Sequence, residues 1–291
     1  MRAMERRSTG FFAKLVRSPK AWISSAVIGS VLVIALLAPV IAPYDPMKQD
    51  LADQLKPPVF FGGSAKHLFG TDLHGRDILS RTMYGARVSL SLGILSVLLA
   101  AGVGVVAGIV SGFYGGKVDD IIMRAADVML AFPPIVLAIC IIALVKPSLS
   151  TVVIVLALVN WVWHARPIRS TVLRLRMLEY VSASRALGAP NLSILVRQIF
   201  PNVIPVIIVI CTTQVGFMIL LESALSFFGL TGSTLSWGWD IASGRDFVSV
   251  AWWMSTMPGL VLFLTVMSLN MLGDWVRDIT DPKMRGDVVG R

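Results

Sequence analysis

Few side chains in this sequence are of types that do chemistry, and most of them stand apart. Glu222 is the one ionisable residue in a long apolar run, with Ser223 and Ser226 beside it and Gln214 two turns earlier. A carboxyl inside a membrane span is a functional candidate by default. It serves either as a hydrogen-bonded element of an outer gate or as a contact for what passes, and Gln214 faces either the path or a neighbouring helix. His67 and His74 lie near Asp72 and Asp77, which are ligand types at a spacing that does not read as a metal site. Turn and capping roles are expected there, and no metal. No nucleophile stands near a base. The one Gly-Lys pair, Gly116-Lys117, is followed by Val118, and Ser111 occupies the position where a phosphate-binding loop needs its first glycine. The chain is therefore expected to be no enzyme and to carry no cofactor of its own. Cys140 and Cys211 both sit in apolar runs and make neither a disulfide framework nor a zinc cluster.

The elements that hold these groups are set by composition. Of 291 residues, 55% are hydrophobic and only 15% charged. Soluble chains carry about 25% charged residues, so a soluble enzyme, a disordered protein and a disulfide-stapled module are excluded. Apolar stretches predict membrane-spanning helices over 22–42, 88–116, 128–145, 151–165, 203–227 and 253–273. Most are near or above the ~18–20 residues that cross a bilayer, the fourth being short. They run continuously rather than alternating, which speaks for helices over a β-barrel. The fold class is an all-α polytopic membrane protein with six transmembrane helices. The first span is too long for the ~7–15-residue apolar core of a signal peptide, so an uncleaved helix is expected.

The net charge of +9 would suggest nucleic acid in a soluble protein. Its distribution argues otherwise. Segments 1–21, 117–127, 166–202 and 274–291 hold 18 Lys and Arg, against 8 in 43–87, 146–150 and 228–252. The richer side is cytoplasmic by the positive-inside rule. Both termini are then expected in the cytoplasm, and no nucleic-acid partner.

Residues 1–21 read as a basic cytoplasmic tail, with an interfacial helix on membrane lipid carried by Phe11, Phe12, Leu15 and Val16. Segment 43–87 begins as loop, after which Thr71 and Asp72 are expected to cap a short helix running into the second span. Gly104, Gly108 and Gly112 share one face of that span, a surface for close packing inside the chain or against a second subunit. Pro133-Pro134 predicts a kink in the third span. Asp127 is placed at the inner boundary of that span, near its N-terminus, where a carboxylate is favoured.

The longest inner segment, 166–202, is where function concentrates. Leu178, Val181, Arg185, Ala186 and Leu187 follow helical spacing, and Gly188 is a stop signal. Pro190 or Asn191 restarts the chain, and Leu192 to Phe200 form a second helix leading to the fifth span. Small residues cluster at the turn (Ser182, Ala183, Ser184, Gly188, Ala189), beside six arginines in the segment. Such a helix–turn–helix is either an interfacial loop on lipid headgroups or a protein-docking surface, and its apolar residues and sharp turn favour docking.

This segment resembles the EAA loop of the membrane subunits of ABC importers. The family's triplet falls on Ser182-Ala183-Ser184, its glycine on Gly188 and its proline on Pro201. Two positions depart from the pattern. Ser182 replaces an acid, for which Arg185 or Glu179 could substitute, and Gln198 replaces the usual isoleucine. Further fragments resemble the C-type permease subunit of the oligopeptide/dipeptide/nickel importers: Phe69–Arg81, Asp127–Pro134, Glu222–Leu230, Ser236–Gly238 and Gly273–Pro282.

The resemblance implies a type I importer. The first helix, 22–42, would be peripheral, and 88–273 would form a five-helix permease core. A B-type permease would complete a heterodimer and the translocation path. Two ATP-binding cassette subunits, holding ATP and Mg, would dock below, one of them on Glu179, Ser182–Arg185, Leu187–Ala189 and Pro201. An extracytoplasmic binding protein would deliver cargo. The setting would be a bacterial or archaeal inner membrane, and the cargo peptide, with nickel, glutathione and haem left open. A stand-alone secondary transporter or channel is the more distant alternative. It would call for several charges within spans.

Overall fold

A computed structural model describes residues 18–232 and 235–280, together with Leu15. Most of the expected interfacial helix and the tail beyond residue 280 lie outside the described residues. In chain order the helices longer than one turn are α1 (Pro19–Ile41), α2 (Ile78–Tyr114), α3 (Gly116–Leu130), α4 (Pro134–Leu144), α5 (Leu149–Leu175), α6 (Glu179–Ala186), α7 (Asn191–Phe227), α8 (Trp237–Gly244) and α9 (Trp253–Thr280). No strand occurs among the described residues, only an isolated bridge between Thr71 and Asp77. Helices α1, α2, α5, α7 and α9 are each long and apolar enough to cross a membrane, and α3 and α4 pass that test only as a pair, either a broken sixth span or a re-entrant loop.

The all-α polytopic reading therefore holds, with five to six spans and with corrections to its parts. The third span is not one kinked helix over 128–145. Helix α3 starts at Gly116, and α4 leaves it at 89°. Pro133 and Pro134 remove two successive backbone donors, and the chain breaks there instead of bending. Asp127 consequently sits in the last turn of α3, where the helix dipole opposes a carboxylate. Arg166 pairs with it and offsets that cost.

The fourth span is longer than 151–165. A search for uncharged runs stops at Arg166, but α5 continues through it as an amphipathic helix, with Pro167 inside and Ile168 and Val172 buried. Likewise α7 begins at Asn191 rather than residue 203. The turning part of 166–202 thus shrinks to 176–190. Near the start of α7, Leu195–Ile199 widens into a π turn, in which Phe200 N–H donates to Leu195 O. Pro201 cannot donate and crowds the preceding turn, and the wide turn accommodates it.

Helix α2 is the axis of the molecule. At about 55 Å it exceeds a bilayer's ~30 Å hydrocarbon core. It packs along α5, α7 and α1. Its N-cap is Asp77, whose carboxylate accepts from Ser80 N–H at 2.8 Å, and not Thr71 or Asp72. Those two lie in the preceding turn. Asp72 accepts from His74 N–H (2.8 Å) and Arg76 N–H (2.9 Å), while Thr71 accepts from Lys56 N–H. Gly75, at φ +70°, turns the chain between them and the helix, so they stand too early to reach its first turn.

One end of the bundle is closed by residues 43–77 and α8, and is called here the cap. The other end carries the turn 176–190, the elbow. In the cap, Trp237 is fully buried and its indole N–H donates to Thr82 O at 3.0 Å. Trp253 reaches Thr71 O in the same way at 3.2 Å.

Candidate functional site

The elbow is built from a few local signals. Arg176 ends α5, and its guanidinium donates to Gly112 O (2.9 Å) and Phe113 O (3.3 Å). These are carbonyls of the last turn of α2, which lack helical partners. Helix α6 follows with Glu179 in its first turn and Arg185 in its last, both matching the helix dipole. Gly188 adopts φ +81°. Its N–H donates to Arg185 O and that of Ala189 to Ser184 O, both at 3.0 Å, the paired bonds of a Schellman stop. A Cβ at Gly188 would meet nothing within 4 Å. Backbone conformation alone selects glycine there.

The inner face of the elbow is anchored on α2. Val181, Ile194, Ile199 and Phe113 are buried in one cluster with Ile168 and Val172. The Arg185 guanidinium lies 5.5 Å from the centre of the Phe113 ring, within range of a cation–π contact. The outer face is open: Ser182, Ala183 and Pro201 are exposed, and Leu187 and Leu192 are 88% and 71% exposed. Of the two departures from the family pattern, Ser182 points to solvent. Gln198 has a role that its residue type did not announce. Its side-chain amide donates to Ser184 Oγ at 2.7 Å, tying the two limbs of the elbow across the turn.

Gly104, Gly108 and Gly112 all face α5. A methyl at Gly108 would stand 2.5 Å from Ala165 O, and one at Gly112 2.8 Å from Val172 Cβ. Close approach along this face brings the descending limb of the elbow onto α2. The bidentate pair of Arg169 with Asp119 adds α3 to the same support. Among the described residues, the contacts of the three glycines are within the chain.

At the cap end, Glu222 is fully buried. It accepts from Ser226 Oγ at 2.7 Å and from Ser223 Oγ at 3.4 Å. Ser236, the N-cap of α8, donates to Ser226 at 2.9 Å. Glu222 thus helps fasten α8 to α7 through Ser226 and Ser236. Gln214 is half-buried on α7.

Sequence reasoning missed the strongest contact of the cap. Arg81 of α2 donates from Nε to Asp240 of α8 at 2.9 Å, with both side chains buried. Burial pushes the Asp240 carboxyl above the usual carboxylate range, and the Arg81 charge opposes this only in part. The partners are 159 residues apart, and no local pattern joins them. His67 lies between Asp77 (2.9 Å) and Asp53 (3.4 Å). Lys66, hydrogen-bonded to Asp53, holds that carboxyl below the usual range.

The comparisons give this bundle its class: the membrane component of a transport system. The family model described as "Binding-protein-dependent transport system inner membrane component" matches residues 104–286, and "N-terminal TM domain of oligopeptide transport permease C" matches 9–58. The di/tripeptide transport system permease protein DppC of Pseudomonas aeruginosa (strain UCBPP-PA14) is 40% identical over 254 residues, 86% of this chain and 84% of that protein. The dipeptide transport system permease protein DppC of Bacillus subtilis (strain 168) is 38% identical over 87% of this chain and 78% of its own. A chain of the inward-facing MetNI methionine ABC transporter superposes with a TM-score of 0.58 at 16% identity, covering 70% of this chain and 96% of its own. That likeness concerns the fold, which is the type I importer permease fold. The chain belongs to the C-type permease subunits of the oligopeptide/dipeptide/nickel ABC importer family, and is a multi-pass inner-membrane protein.

Proposed function

We propose that this chain forms half of the translocation path of an ATP-driven peptide importer and takes its drive through the elbow. The observation that carries this reading is the two-sided construction of the elbow. One face is clamped to α2 by Arg176, Arg185 and Val181, and the other offers Ala183, Leu187 and Leu192 to a partner. A B-type permease would supply the other half of the path, two ATP-binding cassette subunits would hold ATP and Mg, and a binding protein would deliver peptide at the cap. The elbow end would be cytoplasmic, with both termini on that side, as the Lys and Arg distribution favours. ATP binding and hydrolysis would move the elbow with its ATPase and shift the bundle between outward- and inward-open states. Peptide is the cargo named for the relatives that share most of this chain's length.

Reconstitution tests this. The chain with a B-type permease, two ATPases and a binding protein in proteoliposomes is expected to accumulate a labelled dipeptide only with ATP. The chain alone is expected to accumulate none. Uptake by the chain alone, or ATP-independent uptake by the assembly, contradicts the proposal.

A further inference from the structure

We propose that the groove where the elbow-side end of α5 and the C-terminal end of α9 flank α7 is a binding site for the anionic headgroup of a membrane phospholipid. The groove encloses about 640 Å³. Arg174 and Arg277 line it, each in the last turn of its helix. Ser170 and Thr280 add hydroxyls. No acidic residue lines it among the described residues, and neither arginine forms an ion pair with another described residue. Of the acids flanking Arg277 on α9, Asp278 does not line this groove and Asp274 lines a different one.

The α7 part of the lining starts more than three turns beyond Asn191 and is mostly apolar, with Pro205, Val206, Val209 and Ile210 ahead of Thr213. Charge therefore sits where the helices end, and apolar surface lies deeper between them. A small anion would use the guanidinium groups and leave that wall wet. A phosphodiester carrying an acyl chain uses both. Basic pockets between transmembrane helices are suited to anionic headgroups, and a guanidinium pairs bidentately with phosphate.

The test is native mass spectrometry of the full transporter assembly in detergent, titrated with phosphatidylglycerol or phosphatidylcholine. Retention of phosphatidylglycerol over phosphatidylcholine is expected. The double variant Arg174→Gln/Arg277→Gln should bind phosphatidylglycerol roughly 30-fold more weakly, from two lost charges at the membrane surface. Lys117→Gln/Arg124→Gln, which removes two cations from α3, should bind as the parent does. Arg277→Lys, which keeps the charge, should fall between parent and double variant and guards against a folding defect. Equal retention by the double variant overturns the proposal. So does competition by inorganic phosphate as effective as by lipid, which would mark a site for free anions. Displacement of the lipid by a dipeptide but not by its C-terminal amide would also overturn it, marking a cargo site.

Discussion

At the residue scale, the elbow depends on two side chains that do opposite things. Gly188 supplies a conformation. At φ +81° any other L-residue meets its own carbonyl, at a cost of about 1–2 kcal/mol. Gly188→Ala should lower the thermal midpoint of the purified chain by that amount of stability, although the added methyl has free space. An unchanged midpoint would show that the turn tolerates a different backbone. Gln198 supplies a bond across the turn, worth about 1 kcal/mol. Gln198→Ile restores the family's usual residue and removes that bond. Faster amide exchange over 179–198 is expected, and unchanged exchange would mean the limbs are held by Val181 and Ile194 alone. The glycine stop was legible in the sequence because its cause lies within five residues. The Gln198 bond was not, because it depends on how the two limbs fold back on each other.

At the element scale, α2 is fixed along its length to α5 and at its N-terminal end to α8. Gly108→Leu should drive α2 from α5 and cost about 1–3 kcal/mol, read as a lower melting temperature. Gly102→Leu, on the same helix but with nothing within 4 Å of the added atom, should stay within about 0.5 kcal/mol of the parent. Equal effects would contradict the packing described for this face. At the cap, Asp240→Asn removes the counter-charge facing the buried Arg81 guanidinium and should cost about 3–5 kcal/mol. A paired Arg81→Met/Asp240→Leu change should recover much of the loss. No recovery would show that the pair does more than satisfy its own charges. The helices themselves were legible from apolar run length. Their ends were not, since α5 and α7 extend through Arg166 and Arg197 as amphipathic helices. The break at Pro133-Pro134 was legible only as a bend. The sequence does not say whether the freed carbonyls find a continuing helix or a new direction.

At the scale of the whole molecule, the same long helix meets both ends. Through Gly112 and Phe113, α2 holds the elbow, and through Arg81 and Thr82 it holds α8 in the cap. A displacement of the elbow therefore has a mechanically direct route to the cap, about 55 Å away. Membrane class, the five long spans and the elbow's outline were legible without coordinates. The cap was not, because residues 43–77 and α8 are joined by contacts between distant fragments, each unremarkable by itself. The central claim is that the open face of the elbow seats an ATPase. Its most direct measurement is disulfide cross-linking. In a background lacking Cys140 and Cys211, Ala183→Cys or Ala189→Cys is paired with cysteines on the ATPase surface of the assembled transporter. Cross-links whose yield changes between nucleotide-free and ATP-bound states are the expected result. No cross-link in either state, with the assembly intact, would contradict the account.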